Sequence, residues 1–229
     1  MPADLQSIAD PRLILLTWAA GLALVTGAVS MSRIVGPGFT WVAGSVAVVV
    51  GLPGAIATGS WWARVGLLAA AIGLISARNR SLSGVLFTMS GMAYLAEAVL
   101  FASFVPALTA TLALGGVTGE MILAHWYLVD PRLPRSALRN LAIVGIMGLL
   151  AEAALQLSLG VGWSGGGWGF WILMVTSVVL MVAVIGALRY PAYSGVMAAT
   201  GLSYLALLTT LGAVFVGRAI TAGLGPFDV

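Results

Sequence analysis

An all-α bundle of membrane-spanning helices is the fold this sequence predicts, and three observations predict it. Of 229 residues, 61% are hydrophobic and only 7% charged, against roughly 45–50% apolar and about 25% charged in a soluble domain. Mean hydropathy is +1.09. The apolar residues also gather into stretches close to the ~20 residues that cross a bilayer. Ten basic and seven acidic side chains on this length cannot build a water-soluble surface. The same scarcity of charge argues against a disordered chain and against a nucleic-acid partner. The expectation is one integral membrane domain over residues 1–229, with the lipid bilayer as its first partner.

Eight spans are expected, at about 12–31, 40–58, 61–77, 82–105, 107–129, 137–160, 168–188 and 192–216. The first opens at Asp10-Pro11, where Asp suits the N-cap and Pro the first helical position. Asp4 and Asp10 stand where a signal peptide would carry basic residues, so the first span is expected to be retained. Pro53-Gly54 interrupts the second span, and Ala57-Thr58-Gly59-Ser60 alone separates it from the third. That region reads either as a tight hairpin or as a broken, re-entrant helix, which protein or a cavity would have to shelter. The turns after spans one, three, five and seven recur near residues 35, 80, 134 and 190, giving four helical hairpins of similar size. No residue-level repeat accompanies them, so internal duplication is only suggested. Gly115 and Gly119 form a small-xxx-small pair that lets helix backbones approach in lipid.

Sidedness follows from arginine. All ten basic residues are Arg. Arg33, Arg78, Arg80, Arg132, Arg135, Arg139 and Arg189 fall in the turns after odd-numbered spans. Arg12, Arg64 and Arg218 fall on the other side. The positive-inside rule puts the seven-Arg side in the cytoplasm and both termini outside. A bacterial inner membrane is the expected setting. Trp61, Trp62, Trp163, Trp168 and Trp171 would lie at outer span ends and Trp41 and Trp126 near inner ones, as an interfacial belt requires. Gly160–Gly169 is an uncharged Gly/Trp loop. It lacks the Lys and the GK[ST] ending of a phosphate loop.

Missing residue types narrow the chemistry. Without Cys there are no disulfides, thiolate metal sites, iron–sulfur clusters or covalent c-type haem. Without Lys there is no Schiff base. A single His cannot build a His-rich metal site. Ala192-Tyr193-Ser194-Gly195 is no nucleophile elbow, and there is no HExxH. Catalytic activity of the chain's own is not expected.

The informative residues are the ionisable ones inside spans: Glu97, Glu120, His125 and Glu152. An acid at membrane depth costs at least about 2.5–3.5 kcal/mol, so its default reading is functional. At 1.5 Å per residue, Glu97 and Glu152 fall about 6 Å outward of the midplane, Glu120 about 3 Å and His125 about 10 Å inward. If spans four to six are neighbours, these four form a proton-handling ladder, with Gln156 one turn beyond Glu152 and Thr118 close to Glu120. Against a single wire, Glu120 and His125 lie about 140° apart around their helix. The bland alternative is that protonated Glu side chains simply glue helices together. His125 also suits an axial ligand to a haem or chlorin pigment, completed by a partner. Arg132, Arg135 and Arg139 with Trp126 and Tyr127 form an inner rim suited to a lipid phosphate, a quinone headgroup or haem propionates. Ordinary anchoring explains the same rim.

The function expected is that of a membrane subunit in an energy-converting, electron-transfer or proton-translocating complex with other membrane subunits. Its Glu/His ladder would conduct protons or hold a quinone, haem or pigment. A proton-coupled secondary transporter, suggested by Pro53-Gly54, and a purely structural scaffold are the alternatives.

Overall fold

A computed structural model describes residues 10–130, 133–163 and 165–223. Among them are eight helices and no strand: α1 (Pro11–Ser32), α2 (Pro37–Thr58), α3 (Trp61–Ile75), α4 (Arg80–Ala102), α5 (Phe104–Val129), α6 (Arg135–Ser158), α7 (Gly167–Arg189) and α8 (Tyr193–Thr221). Seven are long and apolar enough to cross a membrane. The bundle is thus of transmembrane type. The exception, α3, has 15 residues, or about 22 Å of helix. That is less than the ~30 Å hydrocarbon core.

The helix ends are written locally. Asp10 caps α1, accepting from the Arg12 N–H at 2.8 Å, and Pro11 fills the first position. The Arg12 guanidinium also donates to the Asp10 carboxylate, which holds that carboxyl below its ordinary range. Ser60 caps α3 through the Ala63 N–H, and Asn79 caps α4 through the Leu82 N–H. Between α2 and α3, Gly59 takes φ +62° as the left-handed residue that closes a helix. Residues 57–60 therefore make the tight hairpin, not a break. Helix α2 runs unbroken through Pro53. The residue one turn earlier, Val49, whose carbonyl Pro53 cannot serve, is 67% exposed.

The four hairpins build two halves with one connectivity. In α1–α4 the first helix packs on the second and fourth, and the third packs on the same two. Helices α5–α8 repeat this pattern. The halves meet chiefly through α1 and α5; α4, the sequence neighbour of α5, touches it less. At that junction a Cβ on Gly21 would lie 2.3 Å from the Thr111 carbonyl oxygen, and one on Gly115 would lie 2.4 Å from the Gly21 Cα. Only two glycines permit this approach. Trp18 of α1 adds a hydrogen bond from its indole N–H to Thr118 of α5, at 2.8 Å.

The two faces of the bundle differ. Ile14, near the start of α1, clusters with Val214, near the end of α8, so both ends of the described chain lie at one face. At the other face Trp126 at the end of α5 covers Gly38 at the start of α2. The arginine-bearing turns meet there in pairs. Arg80 donates to the Arg33 carbonyl at 3.3 Å, joining the first and third turns. Arg135 donates to the Pro191 carbonyl at 2.7 Å and to that of Tyr190, joining the fifth and seventh.

Candidate functional site

The buried polar groups concentrate where α5 packs against α8, and they occupy three levels. Nearest the face where the described chain begins and ends, Glu152 of α6 meets Arg218 of α8, both fully buried. The Arg218 Nε donates to Glu152 Oε1 at 3.3 Å, and Nη2 donates to the Pro106 carbonyl at 2.6 Å. Thr109 donates to Glu152 Oε2 at 2.5 Å, and the Gln156 amide donates to Oε1 at 3.2 Å. Thr221 in turn donates to the side-chain Oε1 of Gln156 at 2.7 Å. One turn of α5, two of α6 and the last turns of α8 are clamped around a single ion pair.

Glu120 sits eleven residues further along α5 than Thr109, about 16 Å lower along the axis. It is fully buried and accepts a hydrogen bond from Ser203 of α8, while its Oε1 has no partner. Immediately after Ser203, Tyr204 approaches His125, its hydroxyl 3.2 Å from Nδ1. Consecutive α8 residues thus contact Glu120 and His125, although those two point about 140° apart on α5. His125 and Tyr204 are both exposed on the flank of the seam.

Between the levels lies Thr210, seven residues beyond Ser203 and so on the same face of α8. Its hydroxyl is buried and unpartnered. Nη1 of Arg218, Oγ1 of Thr210 and Oε1 of Glu120 make three buried polar atoms without hydrogen-bond partners, strung along one helix interface. Tyr94 Oη and Thr111 Oγ1, away from Glu120 and Arg218, are the other two buried side-chain atoms of this kind among the described residues, and each such group calls for an explanation.

The residues expected from sequence are distributed unevenly over this seam. Glu120, His125 and Glu152 all belong to it. Glu97 does not: it lies on α4 in the other half, 8% exposed, and no hydrogen bond among the described residues joins it to the seam. Thr118, near Glu120 in sequence, faces α1 instead and accepts from Trp18. Gln156 joins Glu152 as its i+4 spacing predicted.

Arg218 was missed. The sequence places it among outer loop arginines beyond a span ending at 216. Helix α8 in fact continues to Thr221 and carries Arg218 wholly inside the bundle. A usable signal existed, since Arg218 is followed by Ala219 and Ile220 and a buried Glu152 needs a cation or a proton. Thr109 and Ser203, its counterparts as hydroxyl donors, carried no sequence signal.

The expected inner rim is not assembled as one site. Trp126 packs on Gly38, and Tyr127 is 6% exposed within the main apolar cluster. Arg135 spends its guanidinium on the carbonyls of the α7–α8 turn. Arg139 stands exposed beside Arg189. Arg132 lies outside the described residues. For a haem or chlorin, His125 offers a single imidazole whose Nδ1 is occupied by Tyr204. No group of three or more His, Cys, Asp or Glu able to hold a metal occurs among the described residues. Compared with known proteins, the chain matches no family model, no curated protein and no solved structure.

Proposed function

We propose that this chain is a membrane subunit of an energy-converting, proton-translocating assembly, and that protons pass along the α5–α8 seam. The observation that carries the reading is Glu120: an acid inside a helix long and apolar enough to cross a membrane, fully buried, with one hydroxyl partner and one carboxyl oxygen without any. A structural acid would be expected to carry a full complement of partners, as Glu152 does. Glu120 takes up and gives up the proton. Thr210 and Arg218 mark the route towards the face where the described chain begins and ends. His125 and Tyr204 mark the exit on the arginine face, which the positive-inside rule assigns to the cytoplasm.

The same geometry supports companion subunits. An imidazole and a phenol exposed near the membrane boundary call for polar cover. A companion helix supplies it, or a haem or chlorin held by His125 through Nε2. A quinone headgroup is the remaining candidate cofactor for the same flank. Gentle purification of the tagged chain from its native membrane tests this directly. Stoichiometric companion chains, with a Soret or chlorin band or an extractable quinone, are the expected result. A chain that purifies alone and colourless, with no lipid-soluble redox carrier, would sink the subunit reading.

One observation favours a proton-coupled transporter as the second reading. The two halves share one connectivity, as transporter repeats do. The intact α2 removes its other support, the broken helix at Pro53. Solute flux by the reconstituted chain alone distinguishes it.

A further inference from the structure

We propose that the cavity between the start of α6 and the end of α7 binds the phosphate of an anionic phospholipid headgroup. The site is independent of the proton seam. It has a volume of about 220 Å³ and is lined by Arg135, Ser136 and Arg139 from α6 and by Ile185, Leu188 and Arg189 from α7.

Its charge is one-sided. Three guanidinium groups face it, and no carboxylate is among its described lining residues. Arg135 is the frame. Its Nη atoms hold the backbone of Tyr190, Pro191 and Ala192, fixing the α7–α8 turn next to Arg189. Arg139 and Arg189 have no hydrogen-bond or ion-pair partner among the described residues and are exposed. Two forked donors are therefore free at one opening, which is the arrangement that recognises phosphate oxygens in a bidentate way. The first turn of α6 adds to this. Pro134 precedes it and no side chain caps it, so its N–H groups contribute positive potential on the side of Ser136.

The lower wall argues for a lipid over a soluble anion. Ile185 and Leu188 give the cavity an apolar side on α7, so a ligand with a charged head and an apolar tail satisfies both parts. The first half repeats the position: Arg33, Arg78 and Arg80 with Asn79 and Ser81 line a cavity of about 510 Å³ at its paired turns. That cavity has no apolar residue among its described lining and serves as the internal comparison.

The test is native mass spectrometry of the full chain released from nanodiscs of phosphatidylcholine containing a minor fraction of phosphatidylglycerol. Wild type should retain phosphatidylglycerol preferentially. The double variant Arg139→Gln/Arg189→Gln should retain it roughly thirtyfold less, from about 1 kcal/mol per basic residue at an anionic surface. Arg78→Gln/Arg80→Gln should change retention far less. Equal retention by wild type and the Arg139/Arg189 variant overturns the proposal. So does displacement of the lipid by inorganic phosphate at matched concentration, which would assign the site to a free anion. Both substituted residues are exposed, and an unchanged melting temperature confirms that the fold is intact.

Discussion

Arg218→Ala is expected to destabilise the folded bundle by about 3–5 kcal/mol, the cost of leaving one member of a buried ion pair alone. The cost arises from what remains. Glu152 keeps Thr109 and Gln156 as donors but loses the Nε contact at 3.3 Å and its only cation. The Pro106 carbonyl loses the 2.6 Å contact that ties α8 to the first turn of α5. A positive charge at residue 218 matters less than a matched pair, so the double variant Glu152→Gln/Arg218→Met should recover most of the loss. Unfolding by denaturant in detergent micelles measures both. A single variant within about 1 kcal/mol of wild type, the range typical of exposed pairs, would show that the pair is solvated and that α8 ends before Arg218.

Gly115→Val is expected to cost about 3 kcal/mol or more, at the upper end of overpacking effects. The added Cβ meets the Gly21 Cα at 2.4 Å and the Gly21 carbonyl carbon at 2.6 Å. Those are backbone atoms of the facing helix, so no side chain can swing aside. Relief requires α1 to separate from α5, and that contact joins the two halves. Gly201 provides the control. It lies in α8, is exposed, and a Cβ there meets nothing within 4 Å. Gly201→Ala should be neutral or stabilising by about 0.5–1 kcal/mol, from helix propensity alone. A thermal-unfolding series on both variants checks the contrast. Equal melting temperatures for Gly115→Val and wild type would mean that the halves do not meet at this crossing.

Much of the fold was legible in the chain because membrane helices are specified by one-dimensional properties. Apolar runs set the span positions. Asp10-Pro11, Gly59 and Ser60 set ends through capping chemistry that acts within four residues. What was not legible depends on distance. Arg218 and Glu152 lie 66 residues apart, and no periodicity links them. A hydropathy window also closes a span at the first charge, which is why α8 was expected to end early. Pro53 leaves the sequence with two readings, a hairpin or a broken helix. Its local penalty is real, but the membrane leaves a helix no better alternative than to continue.

The candidate site divides in the same way. Glu120 and Glu152 announce themselves, since acids in apolar runs are costly and therefore informative. Their partners Ser203 and Thr109 are hydroxyls in helices that hold many. Glu97 shares its expected depth with Glu152, yet helix adjacency separates them. The first half presents α1, not α4, as the main partner of α5. The sequence neighbour was the natural guess, and the repeated four-helix connectivity overrides it.

The central claim is that Glu120 carries the translocated proton. Proton flux into proteoliposomes containing the native particle, read with an entrapped pH-sensitive dye under an imposed gradient, addresses it most directly. With Glu120→Gln the flux should fall roughly a hundredfold, the usual scale for loss of an essential proton-transfer group. Glu120→Asp should restore part of it, and the melting temperature of the particle should stay close to that of wild type. A Gln variant that conducts protons at the wild-type rate would contradict the account. Glu120 would then be a buried tie between α5 and α8, and the seam a structural joint.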